Sequence, residues 1–564
     1  MKKYIILILA FAFLLRLGAV NFGLPYHESF SEELVITATA FKMLAEKSLR
    51  ADFSFNYLPP LMAYLLTPVF ALIGLLGILM GKFQSLVDYQ NFVLLYRENF
   101  LSAGRVISAL FGTASIYFVF LLAKKFFNKK VAFLAGVLLV FDFIHLHESQ
   151  NGHIWAAVTF FTVAAFYAFL RVYETGGRKW YVWSGIFIGL GYAMGQVPIV
   201  FYLPFLLIHI LSRPKKENFK KKILNKNFIY ATVIATLIFA LFTYLNTYSF
   251  QKHFYDVIQT ISKAFGFKAN ILPEISKAAR FSFGLNLNVI FRTLFYNNPF
   301  VFIAALLGFF VLLKKYRIFD IKNIFLIFFP LTYLIFFSVV FYDFLYRYTL
   351  PIIPFLTLSA SYFVFWLGSK ILSSRSGKII SAVLIAVMFG YSSMISVLYT
   401  FKLQRGYTLS KGLEWVYKNI PTGSRIVSGT YITPNKESLG FLKTHNRFNW
   451  FDTRKSYLMS LNDGRYPEPN YFILNPGFTD LSSLSDEEKK ANYIFVAFYD
   501  KEGEKIRKEF FNFINGEKEL IFKIYPTEDK DGIKELINYQ PHFLLTTLFK
   551  IKYVGPYVEI YKVL

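Results

Sequence analysis

Two adjacent carboxylates, Glu32 and Glu33, are the residues in this sequence best placed for chemistry. They close the stretch Pro25-Tyr26-His27-Glu28-Ser29-Phe30-Ser31, just beyond the first apolar run. A carboxylate so placed can act as general base on a hydroxyl, or help hold a metal that steadies a leaving phosphate. The structural alternative is capping. Ser29-x-x-Glu32 has the spacing of a capping box, and Ser31 suits the cap of a helix whose first turn holds both acids. Arg16, late in the first apolar run, could pair with a carboxylate of the loop that follows. His27, His145, His147 and His153, with Glu28, Glu32, Glu33 and Glu148, have metal-ligating side chains, but no spacing among them is diagnostic. A divalent metal stays an open expectation, and no other cofactor is indicated.

The elements that must position these residues are membrane helices. Hydrophobic residues make up 55% of the 564 and aromatics 20%, while charged residues are 17%, too few to coat a soluble globule. Without cysteine, disulfide scaffolds and thiol chemistry are excluded. Apolar runs at 4–22, 103–123, 131–147, 153–170, 180–196, 197–212, 228–248, 299–313, 323–342, 349–368 and 379–400 predict eleven spans. They end near residue 400. The expected fold class is a polytopic all-α membrane domain, residues 1–400, followed by a water-facing α/β domain, residues 401–564. In the latter, 410–418 reads as helix and 425–432, 493–498 and 557–563 as strands.

Charge sets the orientation. Of the formal net charge of +26, residues 1–400 carry +22 and residues 401–564 only +4. Lys and Arg concentrate on cytoplasmic loops, so Lys2-Lys3 and the cluster Lys124, Lys125, Lys129, Lys130 belong on the same face. An even number of crossings must separate them. The apolar stretch 58–81, with Pro59-Pro60 and Pro68, is therefore read as interfacial or re-entrant rather than as a span. The basic run 213–226 is a topology anchor attracted to anionic lipid, not a nucleic-acid site. This arrangement puts the N-terminus in the cytoplasm. The C-terminal domain and the long loops 23–102 and 249–298 then lie on the extracytoplasmic face.

The order of motifs resembles the membrane glycosyltransferases of the C-type fold. The branch is that of dolichyl-phosphate-mannose protein mannosyltransferases and bacterial lipid-A aminoarabinose transferases. Leu15-Arg16-Leu17, the acidic pair Glu32-Glu33, Pro59-Pro60-Leu61, Gly104-Arg105 through Ser108 to Gly112, and His147-Glu148-Ser149 as a short outer loop follow one another as in that family. Gly185-x-x-x-Gly189 and Tyr346-Arg347-Tyr348-x-x-Pro351-x-x-Pro354 extend the likeness. Glu32 departs from it where the pattern has Asp, as does Trp155 where it has an acid and Gln196 where it has a Lys nearby.

The resemblance implies an inverting transfer of sugar from a polyprenyl-phosphate donor to an acceptor hydroxyl on a protein, lipid or glycan. In it Glu32 is the base, and Glu33 is runner-up or support. Arg347 and, less directly, Arg105 face the donor phosphate, and Arg16, His27, His147 and Glu148 support. Against this, Arg347 could snorkel at a helix end, and Arg16 could pair with a loop carboxylate. A transporter or flippase of lipid-linked sugar and a catalytically inactive relative are the alternative readings.

Overall fold

The computed structural model describes residues 2–26, 30, 32–51, 58–195, 200–212, 222, 224–247, 251, 283–340, 345–370, 375–428, 436–444, 457–461, 466–474, 490–528 and 545–564. The chain divides into two compact units. The first comprises Met1–Val20, Phe30–Ala71 and Ser102–Val397, and the second Asn21–Ser29, Leu72–Leu101 and Leu398–Leu564. The sheet-bearing unit thus takes in two stretches that the sequence reading assigned to the first long loop.

The first unit is helical. Among the described residues seven helices are long and apolar enough to cross a membrane, or up to nine if each of two bent pairs is one span. Each of the eleven apolar runs carries a helix, among them the short Lys2–Leu17 of 16 residues and Tyr202–Ser212 of 11. The stretch excluded from the count behaves otherwise. Leu61–Leu79 is a continuous 19-residue helix, long enough to cross, with Pro68 inside it.

The two bends have local causes. Lys129–Val140 and Phe143–Gln150 meet at 56°, because Asp142 is extended and its carboxylate caps the second helix at the His145 N–H. The pair ending in Pro299–Lys315 bends by 112°. There Asn298 is extended and caps Val301, and Pro299 starts the new helix without an N–H to continue the old one.

Small residues let the helices approach closely, as expected where lipid gives no hydrophobic push between them. A Cβ on Gly185 would lie 2.4 Å from the Ala231 carbonyl oxygen, and one on Gly308 2.4 Å from that of Ser359. Gly185→Ala is accordingly expected to destabilise the protein by about 1–3 kcal/mol. Gly390→Ala, whose added Cβ meets nothing within 4 Å, should be neutral or mildly stabilising. Thermal midpoints of the purified proteins in one detergent would compare them.

The second unit holds a five-stranded sheet, ordered β2-β1-β3-β5-β4. The strands are β1 (Arg425–Ser428), β2 (Phe472–Leu474), β3 (Tyr493–Phe498), β4 (Lys518–Ile524) and β5 (Tyr557–Val563). β1 runs parallel to β2 and β3, whereas β5 pairs antiparallel with β3 and β4. Val427, Ile494, Val496, Phe498 and Tyr557 form the core of one face, and the helix Thr408–Asn419 packs Trp415 on Phe522. Gly555, at φ +132°, lies so near Thr408 that a Cβ would fall 1.9 Å from its Oγ1.

β5 also buries a charge. Glu559 is 1% exposed and receives Lys508 Nζ and the hydroxyls of Tyr525 and Tyr561, each at 2.5 Å. Burial pushes its carboxyl up, but Lys508 and the two hydroxyls outweigh that and hold it at about 2, below the ordinary 4.5. A depressed folded value contributes stability above the unfolded value that disappears as pH falls through the folded one. Glu559→Gln should therefore remove part of the acid sensitivity between about 4.5 and 2. Melting temperatures measured across that range, variant against wild type, check it.

Candidate active site

The carboxylates are set where the helix Glu33–Ala45 begins. Glu32 is the residue before it, in the left-handed backbone region at φ 67° and ψ 4°, and its side chain makes no cap bond. It stands before the helix rather than inside its first turn. Ser29 and Ser31, the caps expected from sequence, lie outside the described residues, as do His27 and Glu28.

The two acids have different surroundings. Glu33 is 1% exposed, and Arg105 grips it in a fork, Nε to Oε1 at 2.9 Å and Nη2 to Oε2 at 2.8 Å. The Gly152 N–H donates to Oε1 as well, at 2.6 Å. Arg105 completes its own bonding by donating to the Val20 carbonyl at 3.1 Å, and its guanidinium lies 4.8 Å from the centre of the Phe30 ring. One bidentate pair of hydrogen bonds and an amide make Glu33 a structural anchor. Gly152 is needed there, because a Cβ on it would come within 3.0 Å of Glu33 Oε1.

Glu32 is the accessible acid, with 19% of its side chain exposed. Its Oε2 lies 2.9 Å from Arg347 Nη2 and 2.8 Å from His153 Nε2. Neither approach is aligned as a hydrogen bond. Arg347 is buried and turned toward this acid, so it does not snorkel to water. Trp155, at the position where the resembled family has an acid, is buried and packs on Tyr348 at 5.0 Å.

A buried helix supports the site from below. Phe143–Gln150, which the sequence reading took partly as a short outer loop, is buried at all eight positions. Glu148 Oε1 accepts the Tyr346 hydroxyl at 2.7 Å and lies 3.9 Å from His147 Nε2. His147 in turn packs edge-on to Phe30 and Tyr346. Arg16 pairs not with a loop carboxylate but with His145, at 2.8 Å, and Ser115 takes the other ring nitrogen at 2.8 Å. Asn297 ties Asp142 into the same layer at 2.6 Å.

The motif in the helix Leu101–Phe126 now has a physical reading. Arg105 holds Glu33, Ser108 donates to the His153 carbonyl at 3.0 Å, and Gly112 leaves room for Ser149, whose Oγ would sit 2.1 Å from an added Cβ. Sequence reasoning placed His153 among possible metal ligands and missed it as the neighbour of Glu32. The contact spans a separation no local spacing could signal. Lys252, His253, Lys263, Lys268, Lys277 and Arg280 of the second long loop, and Gln196, lie outside the described residues.

Glu32 and Glu33 each face a guanidinium, and among the described residues no three His, Asp or Glu side chains gather as a donor set.

Residues 89–245 match the family model described as dolichyl-phosphate-mannose-protein mannosyltransferase, a segment that holds Arg105, Gly152 and His153. Among solved structures the chain is similar to ArnT from Cupriavidus metallidurans bound to undecaprenyl phosphate. There the identity is 12%, over 93% of this chain and 96% of that one, with a TM-score of 0.46. It is also similar to the oligosaccharyltransferase AglB from Archaeoglobus fulgidus in complex with an inhibitory peptide and a dolichol-phosphate. For that pair the identity is 13%, over 76% of this chain and 62% of that one, with a TM-score of 0.42. No curated protein matches.

Proposed function

We propose that this chain is an integral-membrane glycosyltransferase that moves a sugar from a polyprenyl-phosphate donor to an acceptor hydroxyl, with inversion, on the extracytoplasmic face. The observation that carries the reading is the placement of one partly exposed carboxylate, Glu32, 2.9 Å from a buried guanidinium, Arg347. The family model over residues 89–245 supports the reaction class. The charge asymmetry between loops supports the orientation, with the N-terminus cytoplasmic and the C-terminal domain outside.

In this mechanism the acceptor oxygen attacks the anomeric carbon from the face opposite the lipid phosphate. Its proton passes to Glu32 as the new C–O bond forms. The bond from the anomeric carbon to the phosphate oxygen breaks, and the lipid leaves as a monophosphate. Charge gathers on that phosphate, and Arg347 supplies a planar, bidentate cation for it. Arg105 and Glu33 hold each other and so position the loop rather than meet the substrate.

The test uses purified protein in lipid and a panel of radiolabelled polyprenyl-phosphate sugars, with release of sugar from the lipid as readout. Wild type should release label from at least one donor, and Glu32→Ala should not. Donors that bind but never turn over, with protein, lipid or glycan acceptors present, would favour transport or an inactive relative.

A further inference from the structure

The second unit contains a cavity of about 340 Å³ that the transfer mechanism does not use. Every residue lining it belongs to that unit, and they come from all three of its chain segments. We infer that this cavity is a saccharide-binding site, taking a neutral sugar of one or two rings.

Its lining is the basis. Tyr26, Tyr96, Tyr417 and Tyr466 supply aromatic surface, and Asn99 and Asn470 supply amides that both donate and accept. A pyranose has the complementary character. Its axial C–H faces carry slight positive charge and pack on the negative face of a ring, while its hydroxyl edge needs donors and acceptors together. Tyr417 is held in place by ring contacts with Tyr26 at 5.9 Å and Tyr471 at 6.4 Å, and Lys436 Nζ lies 4.5 Å from its ring centre. Tyr466 is fixed by its hydroxyl, which donates to the Glu437 carbonyl at 2.6 Å. Rigid rings lose little freedom when they bind, which favours a weakly held ligand.

The charges argue against other ligands. Among the described residues Lys436 is the one basic lining residue, and Glu98 and Glu437 line the cavity as acids. The described lining therefore holds no cationic cluster of the kind a phosphate requires. The cavity volume is at the lower end of the roughly 300–1,000 Å³ typical of small-molecule sites.

The test is ligand-observed saturation-transfer NMR on the full chain in nanodiscs, with maltose, cellobiose and N,N′-diacetylchitobiose as probes and inorganic phosphate as control. At least one disaccharide should receive magnetisation at its ring C–H protons, and phosphate should not compete with it. Tyr96→Ala, at a half-exposed position, should weaken that binding about tenfold through loss of one aromatic partner. Lys436→Met, which keeps the length of the side chain, is the second variant and should weaken it less. No transfer to any of the three at millimolar concentration, or binding unchanged in both variants, would overturn the inference. Displacement of the sugar by phosphate would overturn it also. The readout needs no turnover, so its failure leaves the transferase reading standing, and the reverse holds.

Discussion

Replacing Glu32 by glutamine is expected to slow sugar release from the lipid donor by about 10²–10⁴-fold, the usual contribution of a positioned general base. The substitution preserves shape and keeps an oxygen that can face Arg347 and His153, so donor binding should change little. It removes only the capacity to take a proton. A fall in the maximal rate with little change in the concentration of donor giving half that rate is the signature of an interaction made in the transition state. Single-turnover measurements with saturating donor would read the chemical step. Activity retained within a few-fold of wild type would reduce Glu32 to a partner of Arg347 and move the search for the base elsewhere.

Removing Arg105 should be felt in folding before it is felt in catalysis. Arg105 and Glu33 are both 1% exposed and bonded to each other through two hydrogen bonds, so solvent screens their attraction little. Breaking such a pair from one side leaves a buried charge without its counterion, which costs about 3–5 kcal/mol. Arg105→Met alone should therefore lower the unfolding midpoint sharply. Combining it with Glu33→Gln removes both charges and should recover much of the loss, because isosteric neutral groups avoid the desolvation penalty. A double-mutant cycle on denaturation midpoints separates the terms. If the double variant is no more stable than the single one, the pair does not carry the coupling that its geometry implies.

Periodicity made the helices legible, because burial in lipid writes itself as long apolar runs. The strands Tyr493–Phe498 and Tyr557–Val563 were read with the bounds the structure has. β4 was not read: Lys518, Glu519 and Lys523 stand along an edge strand where charge is tolerated and apolar periodicity is weak. The residues of the site were legible by type and its contacts were not. Nothing near Glu33 in sequence announces Gly152, which is 119 positions away, nor Arg105 at 72. Leu61–Leu79 passes through Pro68 as one helix at the loss of one backbone bond. The end of the helix Phe143–Gln150 reads as a loop because His147, Glu148 and Ser149 are polar, whereas in the fold Tyr346 donates to Glu148 and Ser149 donates to the His145 carbonyl.

The left-handed backbone of Glu32 sets two demands against each other. A residue with a long side chain at φ 67° holds a conformation about 1–2 kcal/mol above the right-handed one. Aspartate tolerates that region more readily, yet its carboxylate stops one methylene short of where Arg347 and His153 now meet Glu32. Ease of folding at this position therefore favours the shorter acid, and reach favours the longer one. The sequence has taken reach, so local stability at the loop has been traded for the location of a single oxygen atom.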